Sequence, residues 1–145
     1  MQAPLIPHGR AELSLLRSGW GDFLERFHWS HFGTLTFRQE RSQQSAVRDF
    51  RRWVRRVEQR SGGRVDWMFA VEPTYTGAAH VHCLLNTTKE TTVEKLRDAW
   101  QAGFSKIVRY DRARGARHYL MKNVGTDGLL EYEISSRLTD QVGYR

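Results

Sequence analysis

Three segments of the chain carry the alternation of apolar and polar residues that is typical of strands. Residues 31–38 are rich in β-branched and aromatic side chains, and residues 65–72 and 79–85 follow a similar pattern. Pro73 ends the second segment, and a turn over residues 74–77 leads into the third. We therefore predict one strand followed later by an antiparallel hairpin. Further strands are expected over residues 103–110 and 129–135.

Between these strands, apolar residues recur at three- and four-residue steps, as they do on one face of a helix. Residues 45–60 combine an apolar stripe with a second stripe of arginines, and Gly62 marks their end. The apolar stripe consists of Val47, Phe50, Val54 and Val57. Shorter patterns predict helices over residues 91–102 and 112–124. A further helix is expected over residues 11–27, before the first strand.

The predicted order of elements is β-α-β-β-α-β, which is the split βαβ plan. This order indicates an α+β fold of the ferredoxin-like and RRM-like type, an antiparallel sheet with helices packed on one face. A length of 145 residues suits one domain with its own core. We expect a single domain over residues 1–145, with residues 1–30 as an N-terminal helical extension.

The charge of the chain narrows its partners. Lys and Arg outnumber Asp and Glu by 23 to 16, which gives a net charge of +7 and favours a polyanion such as nucleic acid. The one cysteine, Cys83, excludes an internal disulfide and a cysteine-based zinc site. No apolar run is long enough for a membrane span, and the first residues do not resemble a signal peptide. We expect a cytoplasmic protein without a membrane partner.

Two histidines in the third strand segment are candidate metal ligands. Side chains two residues apart in a strand point to the same face, so His80 and His82 project together. Glu72 ends the preceding strand, and the hairpin should bring its carboxylate near both imidazoles. Two imidazoles and one carboxylate leave open coordination positions on a metal, as catalysis requires. The simpler alternative is three strand residues that make ordinary hydrogen bonds.

A tyrosine and a lysine on the last predicted helix form a second candidate pair. Tyr119 and Lys122 are three residues apart, so their side chains share one helix face. A tyrosine that attacks phosphate needs a nearby cation, because the pKa of a phenol lies about three units above neutral pH. Taken separately, Tyr119 reads equally well as a core residue and Lys122 as a solvated charge.

Taken in order, three short motifs in this chain resemble those of HUH endonucleases, specifically the replication initiator (Rep) proteins of rolling-circle plasmids and single-stranded DNA viruses. The motifs are Phe32-Gly33-Thr34-Leu35-Thr36-Phe37, Glu72 with His80-Val81-His82, and Tyr119-Leu120-Met121-Lys122. The resemblance spans about residues 20–135. It implies a nickase of single-stranded DNA in which Glu72, His80 and His82 bind Mn²⁺ or Mg²⁺. Tyr119 would form a 5′-phosphotyrosine link, and Lys122 would offset the developing charge.

The resemblance also implies partners. The DNA would be the single strand of an origin or a hairpin, and a host polymerase would extend the 3′ end. No G-x-x-x-x-G-K-[ST] motif is present, so we expect a separate helicase. The candidate DNA contacts are Thr34, Thr36, Arg38, Arg109 and Arg117.

Three alternatives remain open at the level of sequence. A single-tyrosine HUH transposase or relaxase would use the same chemistry on another target. A non-catalytic nucleic-acid-binding module of RRM-like fold shares the sheet plan, but it would present aromatic residues for base stacking rather than His80, His82 and Thr36. An iron oxygenase would also use two histidines and a carboxylate, but it has no need of a basic surface.

Overall fold

The computed structural model describes Asp22 and residues 24–73, 79–115 and 131–135. Within this part of the chain, five strands and two helices follow the predicted order, with the fifth strand at the end. The elements are β1 (His31–Thr36), α1 (Gln43–Ser61), β2 (Val65–Pro73), β3 (Ala79–Thr87), α2 (Val93–Ala99), β4 (Ser105–Arg109) and β5 (Glu131–Ile134).

The five strands form one sheet in the order β4-β1-β3-β2-β5. Each neighbouring pair is antiparallel, so the predicted α+β class and the β2–β3 hairpin are confirmed. Strand β3 lies in the centre, with β1 and β2 on its two sides. The strand that carries the two histidines is therefore hydrogen-bonded along both edges.

The helices cover one face of the sheet, as predicted. Val81, Cys83 and Leu85 of β3 point to this face and belong to the same buried cluster as Phe50 and Trp53 of α1. Burial raises the pKa of the Cys83 thiol to about 12, so Cys83 is the packed core thiol that its apolar neighbours predict. His80 and His82 therefore project from the other face.

Helix α1 begins and ends with local hydrogen bonds that the sequence encodes. The hydroxyl of Ser42 accepts a hydrogen bond from the Ser45 amide at 3.1 Å, which satisfies one of the free donors of the first turn. Gly62 follows the last turn with a φ of 73°, and its amide donates to the Glu58 carbonyl. These caps make the helix slightly longer than the predicted 45–60.

Helix α2 is shorter than the predicted 91–102. Thr92 caps its first turn, and Trp100 after its last turn is extended, with φ −82° and ψ 118°. This conformation lets the Trp100 indole donate to the Thr36 carbonyl at 3.2 Å and pack edge-on against Phe37 at 5.3 Å. Tertiary contacts with β1 thus end the helix early.

Two predicted helices lie largely outside the described residues. Of residues 11–27, Leu24 is fully buried and its carbonyl accepts a hydrogen bond from the Trp29 indole at 2.8 Å. Of residues 112–124, the first three form a turn rather than a helical start. None of the helices in the described segments is both long and apolar enough to cross a membrane.

Candidate metal centre

Strand register brings the candidate ligands onto one face of the sheet. Glu72 of β2 lies directly opposite His80 of β3, and His82 comes two residues later on the same face. On the other side of β3, Thr34 lies opposite His82 and Thr36 lies opposite His80. The hairpin predicted from Pro73 and the following turn therefore places the carboxylate beside the histidine pair.

The closest contact in this group joins Glu72 and His82. Nε2 of His82 lies 3.5 Å from Oε2 of Glu72, with the histidine side chain 5% exposed and the glutamate side chain 25% exposed. This Nε2 atom is buried and has no hydrogen-bond partner among the described residues. A buried polar atom without a partner costs free energy, so a ligand at this position is expected.

His82 is held in its neutral form. Burial lowers its pKa below the ordinary histidine value, and the neighbouring His80 lowers it further, whereas the Glu72 carboxylate acts in the opposite direction. The net direction is downward. A neutral imidazole has a free lone pair, and this is the form that binds metals.

The second ring nitrogen of His82 contacts β1. Nδ1 lies 3.3 Å from the Thr34 hydroxyl. With the proton on Nδ1 and donated toward Thr34, the lone pair of Nε2 faces the Glu72 carboxylate. A lone pair and a carboxylate repel one another unless a cation lies between them, so the donor set fits a divalent metal.

His80 stands apart from the other two donors. Its ring centroid lies 6.5 Å from that of His82, and its side chain is half-buried. Among the residues that the structure describes, no three His, Cys, Asp or Glu side chains converge on a single metal position. Glu72 and His82 are therefore the adjacent pair, and His80 is the ring that has to turn toward them.

The predicted DNA contacts fall into different environments. The Thr36 hydroxyl donates to the Phe104 carbonyl at 3.1 Å, and Arg38 donates to the Gln101 carbonyl at 3.1 Å. Arg109 of β4 lies opposite His31 of β1, which places it on the helix-covered side of the sheet, away from the histidine pair. Its location gives Arg109 no direct path to a phosphate at the candidate metal.

Lys106 is a cation that sequence reasoning overlooked. It lies opposite Thr34 on the histidine side of the sheet, and its side chain is exposed. Alternation within β4 separates Lys106 and Val108 from Ile107, which is buried under the helices. This alternation is visible in the sequence, but the pairing of β4 with β1 is not.

Three of the predicted site residues cannot be placed relative to this group. Tyr119, Lys122 and Arg117 lie outside the described residues. Their proposed roles stay predictions that rest on the motif alone.

Comparison with known proteins gives a family for the chain. The family model of the replication-associated protein ORF2 matches residues 30–127, which is more than half of the chain and runs from just before β1 past Tyr119 and Lys122. Neither the curated proteins nor the solved structures that were searched contain a match. The chain belongs to this family of replication-associated proteins.

Proposed function

We propose that this protein is an HUH-type endonuclease that nicks single-stranded DNA to initiate rolling-circle replication. The observation that carries the proposal is the pairing of Glu72 with the unpartnered Nε2 of His82 on the face of the sheet away from the helices. The replication-associated family and the basic charge of the chain support it.

Glu72, His80 and His82 are the residues that would hold Mn²⁺ or Mg²⁺. When bound, such a metal supplies Lewis-acid polarisation of the scissile phosphate. Within the site, Glu72 contributes the negative charge and His82 a neutral nitrogen. Thr34 fixes the orientation of the His82 ring through Nδ1.

Tyr119 is the proposed nucleophile. Its phenolic oxygen forms a bond to the phosphorus of the scissile phosphodiester, and the bond between phosphorus and the 3′ oxygen breaks. The phenol loses its proton and the 3′ oxygen gains one, so the products are a 5′-phosphotyrosine link and a free 3′-hydroxyl. Lys122 offsets the negative charge on the phenolate and the phosphate. Reversal of the same step rejoins the strand.

Partners follow from these products. A host polymerase extends the 3′-hydroxyl, and a separate helicase unwinds the duplex ahead of it. Lys106 is well placed for a phosphate on the face that carries Thr34 and His82. We propose the cytoplasm of the host cell as the place of action. Transposases and relaxases of the HUH type share this chemistry, but the family match favours replication.

Adduct formation tests the proposal. The protein is incubated with Mn²⁺ and single-stranded oligonucleotides that tile its replicon, and covalent complexes are separated on a denaturing gel. We expect an adduct with wild type and none with Tyr119→Phe, whereas Tyr110→Phe and Tyr75→Phe retain it. An adduct with Tyr119→Phe would identify another nucleophile. Complete absence of cleavage with every oligonucleotide would favour a non-catalytic binding module.

A further inference from the structure

Helix α1 holds a large share of the positive charge of the protein. Its 19 residues contain six arginines and two carboxylates. The arginines are Arg48, Arg51, Arg52, Arg55, Arg56 and Arg60, and the carboxylates are Asp49 and Glu58. The neighbouring helix α2, by contrast, has two cations and two carboxylates in its seven residues. The charge excess is therefore a property of α1 and not of the helical layer as a whole.

Most of these arginines point away from the sheet. The buried side of α1 is formed by Ala46, Phe50, Trp53, Val54 and Val57. The other side exposes all of the arginines except Arg56. Arg56 is partly buried and donates to the Ala99 carbonyl at 2.6 Å, so it ties α1 to the end of α2. We call the exposed set of Arg48, Arg51, Arg52, Arg55 and Arg60 the arginine face.

The carboxylates of α1 do not neutralise this face. Asp49 lies 3.3 Å from Arg41 and 3.7 Å from Arg52, so it is shared between two cations. Glu58 accepts a hydrogen bond from the Val65 amide at 3.0 Å and holds the start of β2. Within the described part of the chain, Arg48 and Arg55 make no ion pair with an acidic side chain.

The arginine face offers phosphate contacts but no platform for bases. The ring of Trp67 beside α1 is covered by Arg51, whose guanidinium carbon lies 5.5 Å from the ring centroid. The exposed large apolar side chains of the described residues are Phe104 and Val108, and neither lies on α1. Proteins that hold single strands without sequence preference stack the bases on aromatic rings. A face of arginines alone suits the backbone of a duplex.

A cavity extends the arginine face toward the sheet. It has a volume of about 480 Å³ and lies between α1 and the start of β2, with Arg51, Arg55 and Arg64 in its lining. A helix of this length spans about 28 Å, which corresponds to roughly eight base pairs of duplex. Several arginines can therefore reach successive phosphates from a single helix.

We propose that the arginine face of α1 binds the phosphate backbone of duplex DNA, on the opposite side of the sheet from the candidate metal centre. The inference rests on the proposed function, since the duplex would be the origin DNA that flanks the nicked strand. The duplex is held by the helical layer, and the single strand is processed on the histidine side. Two separate surfaces thus serve the two forms of DNA at one origin.

The test compares two doubly substituted proteins that lose equal charge. Arg48→Gln with Arg55→Gln removes two arginines from the arginine face, and Lys95→Gln with Arg97→Gln removes two cations from α2. Binding to an origin-flanking duplex is measured by fluorescence anisotropy over a range of salt concentrations. Each lost phosphate contact reduces the slope of log K against log salt by about 0.9, so we expect a change of about 1.8 for the first protein. Its duplex affinity should fall roughly 10- to 100-fold at low salt, and the α2 variant should match wild type.

Adduct formation with single-stranded DNA separates this inference from the proposed function. The arginine-face variant should form the covalent adduct as wild type does, and thermal melting checks that it is folded. Equal slopes and affinities for the two variants would overturn the inference while leaving the nickase intact. An equal loss of affinity for single strands would also overturn it. Absence of the adduct in wild type, together with the expected slope change, would reject the nickase and retain the duplex-binding face.

Discussion

Nε2 of His82 and Oε2 of Glu72 lie 3.5 Å apart across the β2–β3 hairpin, and the nitrogen has no other partner among the described residues. Because burial lowers the pKa of His82, the ring is neutral and its attraction to the carboxylate is weak. A cation bound by both groups would satisfy the nitrogen and the carboxylate together. This relationship leads to the first two predictions.

Glu72→Gln should weaken metal binding while leaving the fold intact. The amide keeps the shape of the side chain but removes the charge that attracts a divalent cation. We expect the affinity for Mn²⁺ to fall at least about 10-fold, measured from the free Mn²⁺ signal in electron paramagnetic resonance. Glu94→Gln on the exposed side of α2 is the control and should bind Mn²⁺ as wild type does. Equal affinity in both variants would remove Glu72 from the metal site.

Thr34→Val should weaken metal binding through the orientation of His82. The valine keeps the β-branched shape of the strand residue but lacks the hydroxyl that lies 3.3 Å from Nδ1. Loss of such an orienting partner lowers metal affinity by about 10- to 100-fold. Thr34→Ser keeps a hydroxyl and should restore most of the affinity. If the valine and serine variants bind Mn²⁺ equally well, the Thr34 contact has no role in binding.

Gly103→Ala should destabilise the connection between α2 and β4. A Cβ atom at this position would overlap the Thr36 carbonyl oxygen and lie 2.8 Å from the Phe37 Cα, and both are backbone atoms. We expect the free energy of unfolding to fall by about 3 kcal/mol, which lowers the melting temperature by roughly 10 °C in a chain of this size. The neighbouring exposed substitution Gln101→Ala should change it by less than about 0.5 kcal/mol. Equal melting temperatures would show that this loop moves at little cost.

His31 should make the stability of the protein depend on pH. Burial and the nearby Arg109 guanidinium lower the pKa of His31 from 6.5 to about 4. Protons therefore bind more tightly to the unfolded chain, and the stabilisation present above pH 6.5 is lost as the pH falls toward 4. At 1.36 kcal/mol for each pKa unit, the loss is at most about 3 kcal/mol.

His31→Phe isolates this contribution, because the ring keeps its volume but does not titrate. The difference in unfolding free energy between wild type and the variant should shift steadily from pH 7 to pH 4 in urea titrations, with wild type losing stability relative to the variant. A constant difference over that range would show that His31 titrates alike in both states. Other groups that titrate in this range act on both proteins, so they cancel in the comparison.

The local elements were predictable from the sequence because each depends on neighbouring residues. Alternation identified β2 and β3, and the turn after Pro73 joined them into a hairpin with Glu72 beside His80. Apolar spacing identified α1, and Gly62 marked its end. The end of α2 was placed too late, because Trp100 leaves the helix to contact Thr36, a residue 64 positions away.

Relationships between distant strands could not be predicted in the same way. The pairing of β4 with β1 decides that Lys106 shares the histidine side of the sheet and that Arg109 does not. A strand pattern alone gives two faces without saying which one meets the helices. The contact between Thr34 and Nδ1 of His82 likewise depends on the β1–β3 register. Thr34 was therefore expected to contact DNA rather than a histidine.

The central position of β3 ties the candidate metal centre to the most protected part of the fold. Both edges of this strand are paired, so its amide hydrogens exchange with solvent only when the whole sheet opens. The spacing of His80 and His82 therefore persists through local fluctuations of loops and helix ends. Any variant whose slowest-exchanging amides are unchanged still presents these two imidazoles at their native separation.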